Sequence, residues 1–150
     1  MAAELSARAL WSPSDWAIGD LLAPASPTVT AARHAALGCE YLLAHCDDCG
    51  TARLIPCPVC PSCGSRRATS RAAAGTATLH AWARYHRAYL PQFEALVPYV
   101  VGSVELDEGP RLTARLSGVT EPVTGMRLRM AFEHWSDGHA VPVFVAEEGA

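Results

Sequence analysis

Lysine is absent from this 150-residue chain: all twelve basic residues are arginine, set against fifteen acids for a formal charge of −3. A net acidic chain lacks the usual electrostatic footprint of a nucleic-acid binder. Residues 64–150, with nine arginines and nine acids, offer a phosphate backbone no net attraction. No apolar run approaches the roughly 20 residues that a membrane-spanning helix needs. The opening stretch, MAAELSARALWSPSDW, carries Glu4 early and has neither a basic leader nor an apolar segment. It does not read as a secretory signal, so the expected home is the cytoplasm, where thiols stay reduced. Nucleophile elbow, glycine-rich phosphate loop and HExxH are all missing, which leaves an independent enzyme without a nucleophile and base.

What is present is a chain half hydrophobic, enough for a real core. Residues 1–30 mix Trp11, Trp16, Leu21 and Leu22 with Pro13, Pro24 and Pro27. Ser14 is placed to cap a short helix, DWAIGDLLA, ended by Pro24, and APASPTVT reads as a linker. AARHAALG follows as a helix with Gly38 where a C-cap falls. From about Arg66 the texture changes to β-rich runs: GTATLHAWARYHRA, PYVVGSVELDEG, PRLTARLSG, GMRLRMAFEHW and AVPVFVA, separated by Gly, Pro and Asp turns. Five strands in about 80 residues fit a small OB-type barrel better than a seven-stranded sandwich. The expected fold is therefore mainly β: an N-terminal helical arm over 1–37, a four-cysteine rubredoxin-like zinc ribbon over 38–66, and a five-stranded OB-fold domain over 67–150.

The stretch HCDDCGTARLIPCPVCPSCG holds five of the six cysteines. Cys46-Asp-Asp-Cys49-Gly50 and Cys60-Pro-Ser-Cys63-Gly64 share one design: two thiolates three positions apart, then a glycine that permits a positive φ and frees backbone N–H groups to face sulfur. Cys46, Cys49, Cys60 and Cys63 are the expected ligands of a tetrahedral site, for zinc or, with the same donors, iron. Four sulfurs leave no open coordination position, so the site holds structure and does not activate water. CPVC and CPSC overlap on Cys60 and each looks like a redox pair, but prolines 56, 58 and 61 forbid the helix that such chemistry uses. Cys57 and Cys39 are read as spare, and His45 as a neighbour of a filled site.

Elsewhere the pattern is quieter. Glu133, His134, Asp137 and His139 read as solvated residues around a turn, and Asp107-Glu108-Gly109-Pro110 as a turn with solvated acids. His80, Trp82 and His86 alternate onto one face of a strand, with Trp82 expected inside the barrel. Tyr89 and Phe93 lie in the long connection YLPQFEALVPY, where loop aromatics serve recognition.

Taken together, ALGCEYLLAHCDDCG, CPSCGS, GTATLHAWARYH, PYVVGSVELDEGPRL and GMRLRMAFEHW with VPVFVA resemble the family of rubredoxin-like zinc ribbons fused to an OB-fold, long catalogued as a domain of unknown function and associated with thiolases and acyl-CoA metabolism. The resemblance covers roughly residues 33–146. It implies a non-catalytic subunit that binds a thiolase-fold enzyme (a thiolase, an aldolase or an acyltransferase) in a heteromeric complex and helps to bind or channel acyl-CoA. It also implies metal ligation by Cys46, Cys49, Cys60 and Cys63, and partner or acyl-CoA contact by Phe93, Pro98 and Tyr99. Where the family commonly has a Pro-Pro-Arg turn, this chain reads Ile55-Pro56-Cys57, with Arg53 the nearest cation for an anion contact. Residues 1–30 match the family poorly and suggest a system-specific docking arm. The competing reading is a single-stranded nucleic-acid-binding ribbon and OB protein, for which Arg66, Arg67 and Arg71 in SRRATSR speak.

Overall fold

The computed structural model describes residues 26–89, 91–135 and 138–147. The proposed helix DWAIGDLLA and both N-terminal tryptophans lie outside them. Among the described residues no helix is long and apolar enough to cross a membrane.

The first element is helix α1, Pro27–Leu37. It starts earlier than expected, inside the stretch read as a linker. Ser26 is its N-cap and accepts the Val29 N–H at 3.3 Å, while Pro27 occupies the first turn, where a missing N–H costs nothing. The helix ends at Gly38 as the sequence suggests, and Cys39 follows with a φ of 62°.

Strands β1 (Leu42–Cys46), β2 (Ala52–Leu54) and β3 (Ala68–Ala72) form an antiparallel sheet in the order β2-β1-β3. The two faces of β1 have different destinations. Leu43 is fully buried in the main hydrophobic cluster, with Ala52 and Leu54 packed against that cluster. Ala44 points the opposite way and stands in register with Arg53 on β2 and Ser70 on β3. Every residue of β3 is exposed. Its hydrogen bonds go to β1, so this stretch of the 67–150 segment is part of the ribbon's sheet.

The remaining strands are β4 (Thr76–Tyr85), β5 (Tyr99–Leu106), β6 (Arg111–Leu116), β7 (Arg127–His134) and β8 (Ala140–Ala146). They close a barrel in the order β4-β5-β6-β8-β7, with β6 and β8 parallel and the other pairs antiparallel. This is the five-stranded barrel expected from the β-rich runs. Along β5 the alternation is complete: Val100, Gly102, Val104 and Leu106 are buried and the residues between them are half-buried. Phe144, Leu79, Leu128 and Leu43 complete the interior. Gly102 has to be glycine, because an added Cβ would come within 2.7 Å of Leu79 Cδ1 and 3.0 Å of Leu116 Cδ2.

Trp82 departs from expectation. The register with β5 slips between Leu79 and Ala81, a bulge that resets the in–out alternation. His80 to Ala83 are all exposed, and Trp82 is 42% exposed rather than inside the barrel.

Candidate metal centre and barrel groove

The two cysteine knuckles are near copies of each other. In the first, the Gly50 N–H donates to the Cys46 carbonyl at 2.9 Å and the Cys46 N–H to Thr51 at 3.0 Å. In the second, Gly64 donates to Cys60 at 2.9 Å and Cys60 to Ser65 at 2.8 Å. Both glycines take φ 76°, the left-handed conformation that lets each turn fold back under its sulfurs. β1 delivers Cys46 at its last residue, and the loop after β2 delivers Cys60 and Cys63.

The four Sγ atoms lie within 4.8 Å of one another, with Cys46 to Cys63 at 3.5 Å and Cys49 to Cys60 at 3.6 Å. Tetrahedral ligation with metal–sulfur bonds of about 2.3 Å requires sulfurs about 3.8 Å apart, so the donor set fits a structural metal ion. The electrostatics agree. The N–H groups of Cys49 and Asp48 hold the Cys46 thiol below its ordinary value. Those of Cys63 and Ser62 bring Cys60 down to about 6. The Ser65 N–H favours the Cys63 thiolate too, but the sulfurs of Cys49 and Cys46 outweigh it and push Cys63 up to about 12. Sulfurs that cannot all ionise without a cation between them are what a metal relieves. Arg67 pairs with Asp48 beside the first knuckle, and Thr69 donates to Asp47 at 2.8 Å. Cys57 stands apart, its thiol turned to the Val59 carbonyl, and Cys39 lies 3.6 Å from His134 Nε2.

A second feature lies on the outer surface of the barrel, a groove of about 590 Å³ running across β5, β6, β8 and β7. Its floor includes the outward residues Val101, Arg115, Val141 and Val143. Phe93 and Leu96, from the short 3-10 helix Pro91–Leu96, form part of its wall. Tyr99 stacks on Tyr85 with ring centroids 5.1 Å apart and touches Phe93 at 5.9 Å. Burial pushes the Tyr99 hydroxyl up, with Tyr85 and Tyr89 adding to it. Arg115 and Glu133 face each other across the floor as an ion pair, and burial lowers the Arg115 pKa. The solvated-turn reading therefore fails for Glu133, which lies in β7 and is only 7% exposed. Asp107 does lie in an exposed turn, but it is ion-paired. Arg127 grips that carboxylate with two nitrogens, at 2.7 and 2.8 Å, and with Thr76 brings its pKa down to about 2.

Of the residues expected to meet a partner or acyl-CoA, Phe93 and Tyr99 come together in the groove, while Pro98 is exposed beside it. Arg53 is on the ribbon, away from them. The sequence reading missed Arg115, Glu133, Leu96 and Trp135. The available signal was weak: charged residues at outward positions in "ARL" and "FEH", a pattern that a solvated strand shares.

Known proteins share this chain's sequence and fold. A chain of the solved Ltp2-ChsH2(DUF35) aldolase is 31% identical to this one, with a TM-score of 0.72, over 83% of this chain and 98% of that one. The protein belongs to the DUF35/ChsH2 family. The sequence profile of the ChsH2 C-terminal OB-fold domain matches residues 70–133, from β3 through most of β7. A DUF35 protein of unknown function from Sulfolobus solfataricus shares the fold at a TM-score of 0.60 and 11% identity, covering 81% of this chain and 87% of that one. A probable enoyl-CoA hydratase alpha subunit of Thermomonospora curvata is 41% identical over 80 residues, which is 53% of this chain and 24% of the relative. This DUF35/ChsH2 chain thus spans about a quarter of that relative's length.

Proposed function

We propose that the chain is a non-catalytic accessory subunit of an acyl-CoA-processing enzyme. In this reading it binds a thiolase-fold partner (thiolase, aldolase or acyltransferase) and helps to hold or channel the acyl-CoA substrate. The observation that carries the proposal is the 31% identity to a chain of an aldolase assembly, extending over almost all of that chain. The relative named as a hydratase alpha subunit supports an enzyme-complex setting.

The groove is suited to docking, with aromatic anchors Phe93, Tyr99 and Trp135 around one desolvated ion pair. That is the composition of an interface centre rather than of solvated surface. Among the described residues that line it there is no serine, cysteine or histidine beside Arg115 and Glu133, which supports a contribution by binding and positioning. Cys46, Cys49, Cys60 and Cys63 hold a structural metal ion, zinc by donor chemistry, which ties the two knuckles of the ribbon together.

The isolated chain is expected to turn over no acyl-CoA thioester. Coexpression is expected to raise the yield and activity of its thiolase-fold partner, and Phe93→Ala to weaken the complex. A partner that is fully active alone, and does not co-purify with this chain, would defeat the proposal.

A further inference from the structure

Arg53 is only 5% exposed, yet no carboxylate pairs with it among the described residues. Its Nε donates to the Cys57 carbonyl at 2.8 Å, and its Nη1 is sealed from solvent without an acceptor. A buried, uncompensated guanidinium is costly unless an anion accompanies it.

Arg53 lines two cavities, one shared with Glu108 and Arg111 beside the β5–β6 turn, and one on the outer face of the three-stranded sheet. Arg53 shares a face with Ala44 and Ser70, the face turned away from the barrel core. There a cavity of about 330 Å³ is lined by Arg53, Arg66, Ser26, Thr28, Ser70 and the loop 55–58. No acidic side chain among the described residues lines it, although the chain as a whole is acidic. Arg66 makes no ion pair among the described residues. The same cavity meets the N-terminus of the eleven-residue helix α1, where Ser26 caps Val29 and the Thr28 N–H has no intrahelical acceptor. Two guanidinium groups, three hydroxyls and the positive end of a helix converge on one space.

We propose that this cavity is an oxyanion site that takes a phosphate group, either inorganic phosphate or the phosphate monoester of a larger ligand. The multiplicity of donors suits a tetrahedral dianion with several acceptor oxygens better than a single carboxylate. The cavity is separate from the barrel groove, and phosphate binding by the chain alone is read independently of any thiolase-fold partner, while a monoester outcome rests on and deepens the proposed handling of acyl-CoA.

Isothermal titration calorimetry on the full, metal-loaded chain tests it with two probes, inorganic phosphate and adenosine 3′,5′-bisphosphate, against chloride at equal ionic strength. Saturable binding of phosphate that chloride does not reproduce is expected. Comparable affinity for the two probes assigns the site to the free ion, and an affinity about tenfold or more higher for the nucleotide assigns it to a monoester. Arg53→Gln should weaken binding about tenfold or more, as loss of a charged hydrogen bond does. Because Arg53 is buried, Arg66→Gln at an exposed position provides the second test and should also weaken binding while metal content stays unchanged. Absence of saturable binding of either probe, or wild-type affinity in both variants, would overturn the proposal.

Discussion

The ribbon and the barrel solve the stability problem in opposite ways. The barrel has eight to ten residues in its longest strands, closes on itself and buries Leu79, Val104, Leu128 and Phe144 completely. The ribbon has strands of three to five residues, one of them wholly exposed, and contributes only Leu43 fully buried to the shared core. What the ribbon lacks in apolar area, four cysteines placed to hold a metal ion are suited to supply. Small domains without enough core resort to metals, and the site they build is both their fold and their switch. The barrel can tolerate loss of a surface contact. The ribbon cannot tolerate loss of a ligand.

That contrast can be broken in a graded way. Chelation is expected to remove the largest contribution, on the order of the 10–16 kcal/mol that metal binding supplies in zinc-finger peptides, and Cys49→Ser a large part of it. Amide resonances of residues 42–72 should collapse while those of the barrel core persist. An unaltered ribbon after complete metal removal would show that its sheet stands unaided.

Arg115→Met comes next, since it strands Glu133 as a buried charge, at a cost of about 3–5 kcal/mol. Combining it with Glu133→Leu should recover most of that loss in chemical denaturation, and metal content should not change. A single variant as stable as the parent would mean that the pair is solvated.

Gly102→Ala forces a Cβ against Leu79 and Leu116 and should cost about 1–3 kcal/mol, confined to the barrel. An unchanged melting temperature would contradict this close packing of β5 on its neighbours.

The smallest effect concerns Asp107. Its folded pKa is lowered to about 2 from a reference of 3.8. The stabilisation is therefore complete above about pH 4 and disappears as the pH falls through about 2. The group is partly exposed, so the gain is at most about 1 kcal/mol. Asp107→Asn should flatten the acid limb of the stability curve between those values. A limb of unchanged slope would remove Arg127–Asp107 from the account.

The two regions also differ in how far their sequences could be read. The β-rich runs between Gly, Pro and Asp turns marked the barrel strands, with full alternation of buried and half-buried residues along β5, and the knuckles showed through the spacing of Cys46, Cys49, Cys60 and Cys63. β3 was not legible: Ala68–Ala72 buries nothing, and it is a strand only because β1 offers it hydrogen bonds. Trp82 misled because a bulge just before it changes which way the strand faces. Glu133 misled, and the ion pair of Asp107 went unread, because their partners, Arg115 and Arg127, are distant in sequence and nothing local signals them. The start of α1 carried a signal, Ser26 followed by Pro27, that the surrounding prolines and threonines made look like a linker. Arg53 stood out only as the nearest cation to an altered turn, and its burial belongs to tertiary structure.

The most direct measurement of the central claim is native mass spectrometry of the untagged chain purified from its own cells. The account predicts one transition-metal ion per chain and a hetero-oligomer with a thiolase-fold enzyme. A folded chain that carries no metal and no partner would contradict it.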